Sequence, residues 1–250
     1  MRFCRRKQKA PTLMVRPGVY GGENEVPLRG KTHSVQAKPG GGKVIPTMPI
    51  EVVILVVDAS GSMQESDYIP TRLDGAKAAG LAFLDEKAGI DPRDKVGLVS
   101  FSDNAYLDAP HDCKRSKIKK SLLELRANGC TNIGQGLNIA IKELQRCNIP
   151  FAVKRIVLLS DGGHNTGTHP DRVLPQAVRQ NVPIDTVSIG SADLKLMEKI
   201  AAATGGRHVR IEDVESLIAR YRQLAEKLPP PDVASHSRPI RVTARGGGRL

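Results

Sequence analysis

The chain has 250 residues, a net charge of +12, 40% hydrophobic residues, 3% aromatic residues and no Trp. Its length allows one large domain or two small ones with a sizeable buried core. The scarcity of aromatics argues against a base-stacking nucleic-acid module, and no apolar run reaches the ~20 residues of a membrane-spanning helix.

The charge is unevenly placed. Residues 1–49 hold 10 Lys/Arg against 2 Asp/Glu, residues 50–227 hold 24 against 23, and residues 228–250 hold 4 against 1. The basicity therefore sits in two arms rich in Gly and Pro, such as Pro39-Gly40-Gly41-Gly42 and Pro229-Pro230-Pro231. Segments this poor in apolar residues cannot offset their own ordering entropy, so both arms are expected to be largely disordered around one folded domain at 50–227. An alternating stretch near 31–37 suggests an added edge strand. The basic start (Arg2, Arg5, Arg6, Lys7, Lys9) is not followed by the apolar stretch of about 7–15 residues that a signal peptide needs, which points to a cytoplasmic protein. The four cysteines, Cys4, Cys113, Cys130 and Cys147, form no CxxC pair and no metal spacing, and read as free thiols of a reducing compartment.

Within the middle, 52–57 is a continuous β-branched run ending at Asp58, as expected of a central parallel strand covered on both faces. Helical periodicity follows at 71–88. Residues 95–101 and 105–107 read as two strands joined by the Ser102-Asp103-Asn104 turn, hence antiparallel. Helices are expected at 116–126 and 133–146, broken by Asn128-Gly129. A buried strand at 155–160 ends in Asp161-Gly162-Gly163, and 170–180 reads as one helix. A strand at 184–189, a helix at 193–203, a strand at 207–211 and a helix at 213–227 complete the pattern. Strands alternating with helices predict an α/β fold with a doubly wound, mostly parallel central sheet and one short antiparallel strand.

In such sheets ligands bind at the carboxyl ends of the strands, where two strands here end in Asp58 and Asp161. Asp58-Ala59-Ser60-Gly61-Ser62 is a DxSxS pattern. On an extended turn its alternate side chains point the same way, with Gly61 easing the backbone turn. Thr131, in Cys130-Thr131-Asn132-Ile133-Gly134, adds a third hydroxyl just before a helix, a place equally suited to an N-cap. Carboxylate and hydroxyl oxygens without His or Cys suit a hard divalent cation, Mg²⁺ first, with Mn²⁺ or Ca²⁺ as alternatives.

Asp58-Ala59-Ser60-Gly61-Ser62-Met63, Thr131 and Asp161 together resemble the metal-ion-dependent adhesion site of von Willebrand factor type A domains, in the family's order and over roughly residues 50–227. The resemblance implies direct metal contacts from Ser60, Ser62 and Thr131 and water-mediated ones from Asp58 and Asp161. It also implies a protein partner whose Asp or Glu completes the coordination, and a last helix that shifts on binding. It points away from an enzyme and, with no export signal, toward intracellular scaffolding or complex assembly. Candidate rim segments are 66–70, the Cys130 loop and 161–169.

Other chemistries fit less well. Phosphoryl transfer would use Asp58 as nucleophile, but Ser60 stands where the phosphatase pattern has a second Asp. A serine hydrolase needs a GxSxG elbow, and Ser62 lacks its second Gly; His164 reads as a rim residue rather than a base. The arms could contact nucleic acid or anionic lipid, weakly and with strong salt dependence. The cluster Lys114, Arg115, Lys117, Lys119 and Lys120 reads as a solvated helix face.

Overall fold

The computed structural model describes residues 48–228. Apart from residues 48, 49 and 228, both arms, with the suggested strand near 31–37 and Cys4, lie outside the described residues. Six strands, β1 (Glu51–Asp58), β2 (Lys95–Phe101), β3 (Ala105–Ala109), β4 (Val153–Ser160), β5 (Ile184–Ser188) and β6 (His208–Arg210), form one sheet in the order β3-β2-β1-β4-β5-β6. All neighbours are parallel except β2 and β3. The helices are α1 (Arg72–Ile90), α2 (Arg115–Glu124), α3 (Ile133–Gln145), α4 (Leu174–Arg179), α5 (Leu194–Thr204) and α6 (Val214–Ala225).

The β1 run is buried at every position, because each face of the strand has its own core. Val53, Leu55 and Val57 pack with α1, α2 and α6 through Phe83, Leu84, Leu122 and Tyr221. Val52, Ile54 and Val56 pack with α3, α4 and α5 through Leu137, Ile141, Leu174 and Ile200. Helix starts are fixed by polar side chains: Thr71 accepts from Asp74 N, Asp193 from Leu196 N and Asp213 from Ser216 N. Gly205, at φ +76°, ends α5 in the left-handed conformation that glycine adopts without strain.

Two expected elements differ. Residues 170–180 divide into a 3-10 turn (Pro170–Arg172) and the short α4. Pro175 has no N–H to bond back to Asp171, so one continuous helix cannot form. The edge strand β3 runs two residues further than expected, with a register shift opposite Leu98/Val99.

At the amino ends of the strands, opposite the candidate site, lies a buried ionic cluster that the apolar reading of this region did not anticipate. Lys87 of α1 is fully buried and pairs with Glu51 and with Asp94, the latter at 3.1 Å; it also donates to Ala225 O at 3.1 Å. Arg155 lies 3.1 Å from Glu51 and 3.3 Å from Asp185 and donates to Leu224 O. These cations tie β1, β4 and β5 to the carboxyl end of α6, where the last carbonyls lack helical donors. Removing one partner of such a cluster strands buried charge. Lys87→Met should therefore lower the unfolding free energy by about 3 kcal/mol in urea denaturation; an unchanged midpoint would mean that the cluster adds nothing.

Candidate metal centre at the carboxyl ends of β1 and β4

The strand order reverses between β1 and β4, which opens a crevice where their following loops diverge. Asp58 is the last residue of β1, and Asp161 directly follows β4. Both are fully buried. Ser60 is extended (φ −70°, ψ 168°), and Gly61–Gln64 then close a 3-10 turn. Ser62 thus sits on a helical turn, not on the extended run expected from sequence. Its Oγ nevertheless lies 3.3 Å from Ser60 Oγ and donates to Asp161 Oδ1 at 2.8 Å.

Asp58 accepts from Ser60 N at Oδ1 (2.8 Å) and from Ser160 Oγ at Oδ2 (2.5 Å). Both oxygens are hydrogen-bonded and shielded from solvent, so neither is placed for in-line nucleophilic attack. Burial pushes the Asp58 carboxyl up to about 7; the Ser160 and Ser60 hydrogen bonds pull it down and nearby Asp161 raises it further.

The loop carrying Thr131 is drawn to this turn by backbone bonds. Gly61 N donates to Gly129 O at 2.9 Å and Asn128 N to Ala59 O at 2.9 Å. A Cβ at Gly61 would stand 3.3 Å from Gly129 O, so glycine both opens the 3-10 turn and permits the close approach of the two loops. Asn132, not Thr131, caps α3 by accepting from Gln135 N at 3.2 Å. The Thr131 hydroxyl is thereby released from the capping role. Asn165 fastens the third loop: its Oδ1 accepts from Thr131 N at 2.8 Å, and its N donates to Thr131 O at 3.1 Å. Gly162 closes the cradle, since a Cβ there would lie 3.6 Å from Thr131 Oγ1 and 3.8 Å from Ser62 Oγ.

This donor set fits a hard divalent cation. The converging atoms are carboxylate and hydroxyl oxygens, and a buried carboxylate held near neutrality is the kind of group that a cation stabilises in its charged form. Among the described residues no three His, Cys, Asp or Glu side chains converge, so a soft-ligand or all-carboxylate centre is not formed. His164 stands at the rim with its ring edge-on to His169, centroids 5.2 Å apart; burial and His169 hold it below its ordinary value. Cys130 is an exposed free thiol on the rim, and Cys113 and Cys147 are also free.

One residue of the centre escaped the sequence reading. Arg72, the first residue of α1, donates from Nη1 to Asp161 Oδ2 at 2.8 Å and grips Asp67 with Nε and Nη2 at 2.8 and 2.6 Å. Its place in an ordinary helical repeat gave no signal. The available clue was a cation at a helix start, where the helix dipole disfavours it.

The family model for the von Willebrand factor type A domain matches residues 53–164. The match spans under half of the chain, and residues 48–228 have the α/β fold of von Willebrand factor type A domains, the class of domain they resemble. A UPF0353 protein of Mycolicibacterium paratuberculosis is 29% identical over 206 residues, which cover 71% of this chain and 60% of that protein. The chain thus spans about 60% of the length of the curated relatives it matches. A von Willebrand factor type A structure from Catenulispora acidiphila matches with TM-score 0.61 and 26% identity, over 72% of this chain and 42% of that one. Proximal thread matrix protein 1 of the mussel byssus, described as having a zinc-occupied MIDAS motif, matches with TM-score 0.57 and 21% identity, over 71% of this chain and 47% of its own.

The elevated Asp58 value has a signed consequence for metal-free protein. The folded carboxyl holds its proton up to about pH 7, whereas the unfolded one releases it near 3.8. The native state binds more protons in that window, so this contribution to stability is full below the lower value and lost as pH rises through the upper one. In EDTA, the stability difference between wild type and Asp58→Asn should shift against wild type between pH 5 and pH 8, read by urea denaturation. A pH-independent difference would contradict the burial argument.

Proposed function

We propose that this domain captures protein partners through a divalent cation, Mg²⁺ foremost, held by Asp58, Ser60, Ser62, Thr131 and Asp161. The observation that carries the reading is the convergence of Ser62 Oγ with Ser60 Oγ and Asp161 Oδ1 at the switch point of the sheet, beside the buried Asp58. When bound, the cation supplies a concentrated positive charge that accepts an Asp or Glu carboxylate from the partner. The chain's own residues fix where that charge sits. Ser160 and the Ser60 amide hold Asp58, Asn165 holds the Thr131 loop, and the Gly61–Gly129 contact keeps the two hydroxyl-bearing loops together.

The reading is of a binding module, not an enzyme: Ser62 is hydrogen-bonded to Asp161 rather than to a histidine base. The zinc-occupied motif of the mussel protein, which shares this fold, supports a metal-binding reading. The module spans 50–227, and the basic arms flanking it tether, solubilise or add weak contacts to anionic surfaces. The free thiols Cys113, Cys130 and Cys147 agree with a cytoplasmic role in scaffolding or assembly. Among the described residues no helix is long and apolar enough to cross a membrane.

The double variant Asp58→Ala/Ser60→Ala should keep its circular dichroism spectrum but give no heat of binding when titrated with Mg²⁺ or Mn²⁺. Proteins retained by the immobilised wild type should be released by EDTA. A wild-type isotherm from the double variant would overturn the site assignment.

A further inference from the structure

Arg72 is 4% exposed, and its guanidinium is held on several sides. Inward, Nη1 donates to Asp161 Oδ2 at 2.8 Å, on the oxygen that Ser62 leaves free. Outward, the Asp67 carboxylate takes Nε and Nη2, and Glu65 Oε2 lies 2.8 Å from Nη2. Gly190, at φ +54°, packs against the group so closely that a Cβ there would stand 2.5 Å from Arg72 Cζ. A cation at the first position of a helix opposes the helix dipole, so these carboxylates, not the helix, set its place.

We propose that Arg72 is the resident counter-cation of the metal centre, sharing Asp161 with the bound divalent ion and setting how tightly that ion is held. The inference rests on the metal-binding reading above. Asp161 presents a negative charge to the ion, part of which the Arg72 guanidinium already offsets. Asp67 and Glu65 lie on the far side of the guanidinium and moderate its charge, which connects the centre to the rim at 65–70. Arg72 is a positioning residue with an electrostatic effect of definite sign, since its charge acts directly against the ion's at short range in a site sheltered from solvent.

The test is calorimetric titration of the full chain with Mg²⁺ and Mn²⁺, together with thermal unfolding in EDTA. Arg72→Gln keeps a hydrogen-bond donor but removes the charge, and should tighten binding on the order of tenfold. Asp67→Asn removes the outer carboxylate, exposes the ion to more of the guanidinium charge, and should weaken binding several-fold. A purely structural role for Arg72 would weaken binding in both Arg72→Gln and Asp67→Asn, so the opposite signs are diagnostic. Equal or weaker binding in Arg72→Gln overturns the inference. If Arg72→Gln does not fold, Arg72→Met takes its place with the same expected tightening, and unchanged or tighter binding in Asp67→Asn, at a half-exposed position, also overturns the inference. Absence of divalent binding in wild type as well would instead overturn the metal-binding reading itself.

Discussion

Two carboxylates, Asp58 and Asp161, are buried at the ends of adjacent parallel strands, and the upper half of the domain is arranged around the cost of keeping them there. An unpaired buried charge is expensive, so each oxygen has been given a partner. Ser160 and the Ser60 amide serve Asp58; Ser62 and Arg72 serve Asp161. Meeting those needs shapes the local backbone: Ser60 stays extended so that its amide turns back to Asp58, and the following 3-10 turn brings Ser62 across to Asp161. The result is an array of oxygens held in place by their own hydrogen bonds, a preorganisation of the kind on which binding selectivity depends.

Buried charge is used differently at the two ends of the sheet. At the amino ends, Lys87 and Arg155 neutralise Glu51, Asp94 and Asp185 and also bond the last carbonyls of α6. That cluster is closed by its own members and secures the carboxyl end of α6. At the carboxyl ends there are fewer cations than carboxylates, and the loops stay open to solvent on one side. The expected shift of the last helix would have to act against the Lys87 and Arg155 bonds to Ala225 and Leu224.

The loops after β1, β4 and β5 and the one preceding α3 meet through few side chains. Asn165 joins two of them, and Arg72 joins the turn after β1, the start of α1, Asp161 and Gly190. Tyr68 extends this linkage by donating to Ile211 O, with Gly190 N 3.5 Å from its hydroxyl. The rim is therefore mechanically continuous with the centre of the site.

The sequence alone determined the alternation of strands and helices and the placement of Asp58, Ser60, Ser62, Thr131 and Asp161 at strand ends and loops. Both depend on local patterns: β-branched runs long enough to be buried on both faces, and polar residues at their ends. The tertiary structure decided what depends on residues distant in sequence. It assigned the α3 cap to Asn132 rather than Thr131, because the helix begins at Ile133 and the Asn132 Oδ1 reaches Gln135 N. It added to the turn at Gly61 a close approach to Gly129 O, from a loop distant in sequence. It placed Lys87 and Arg155 in a buried cluster that composition reads as ordinary helix and strand charges. It brought Arg72 to Asp161, a pair 89 positions apart, where burial rather than pattern determines which charges must meet.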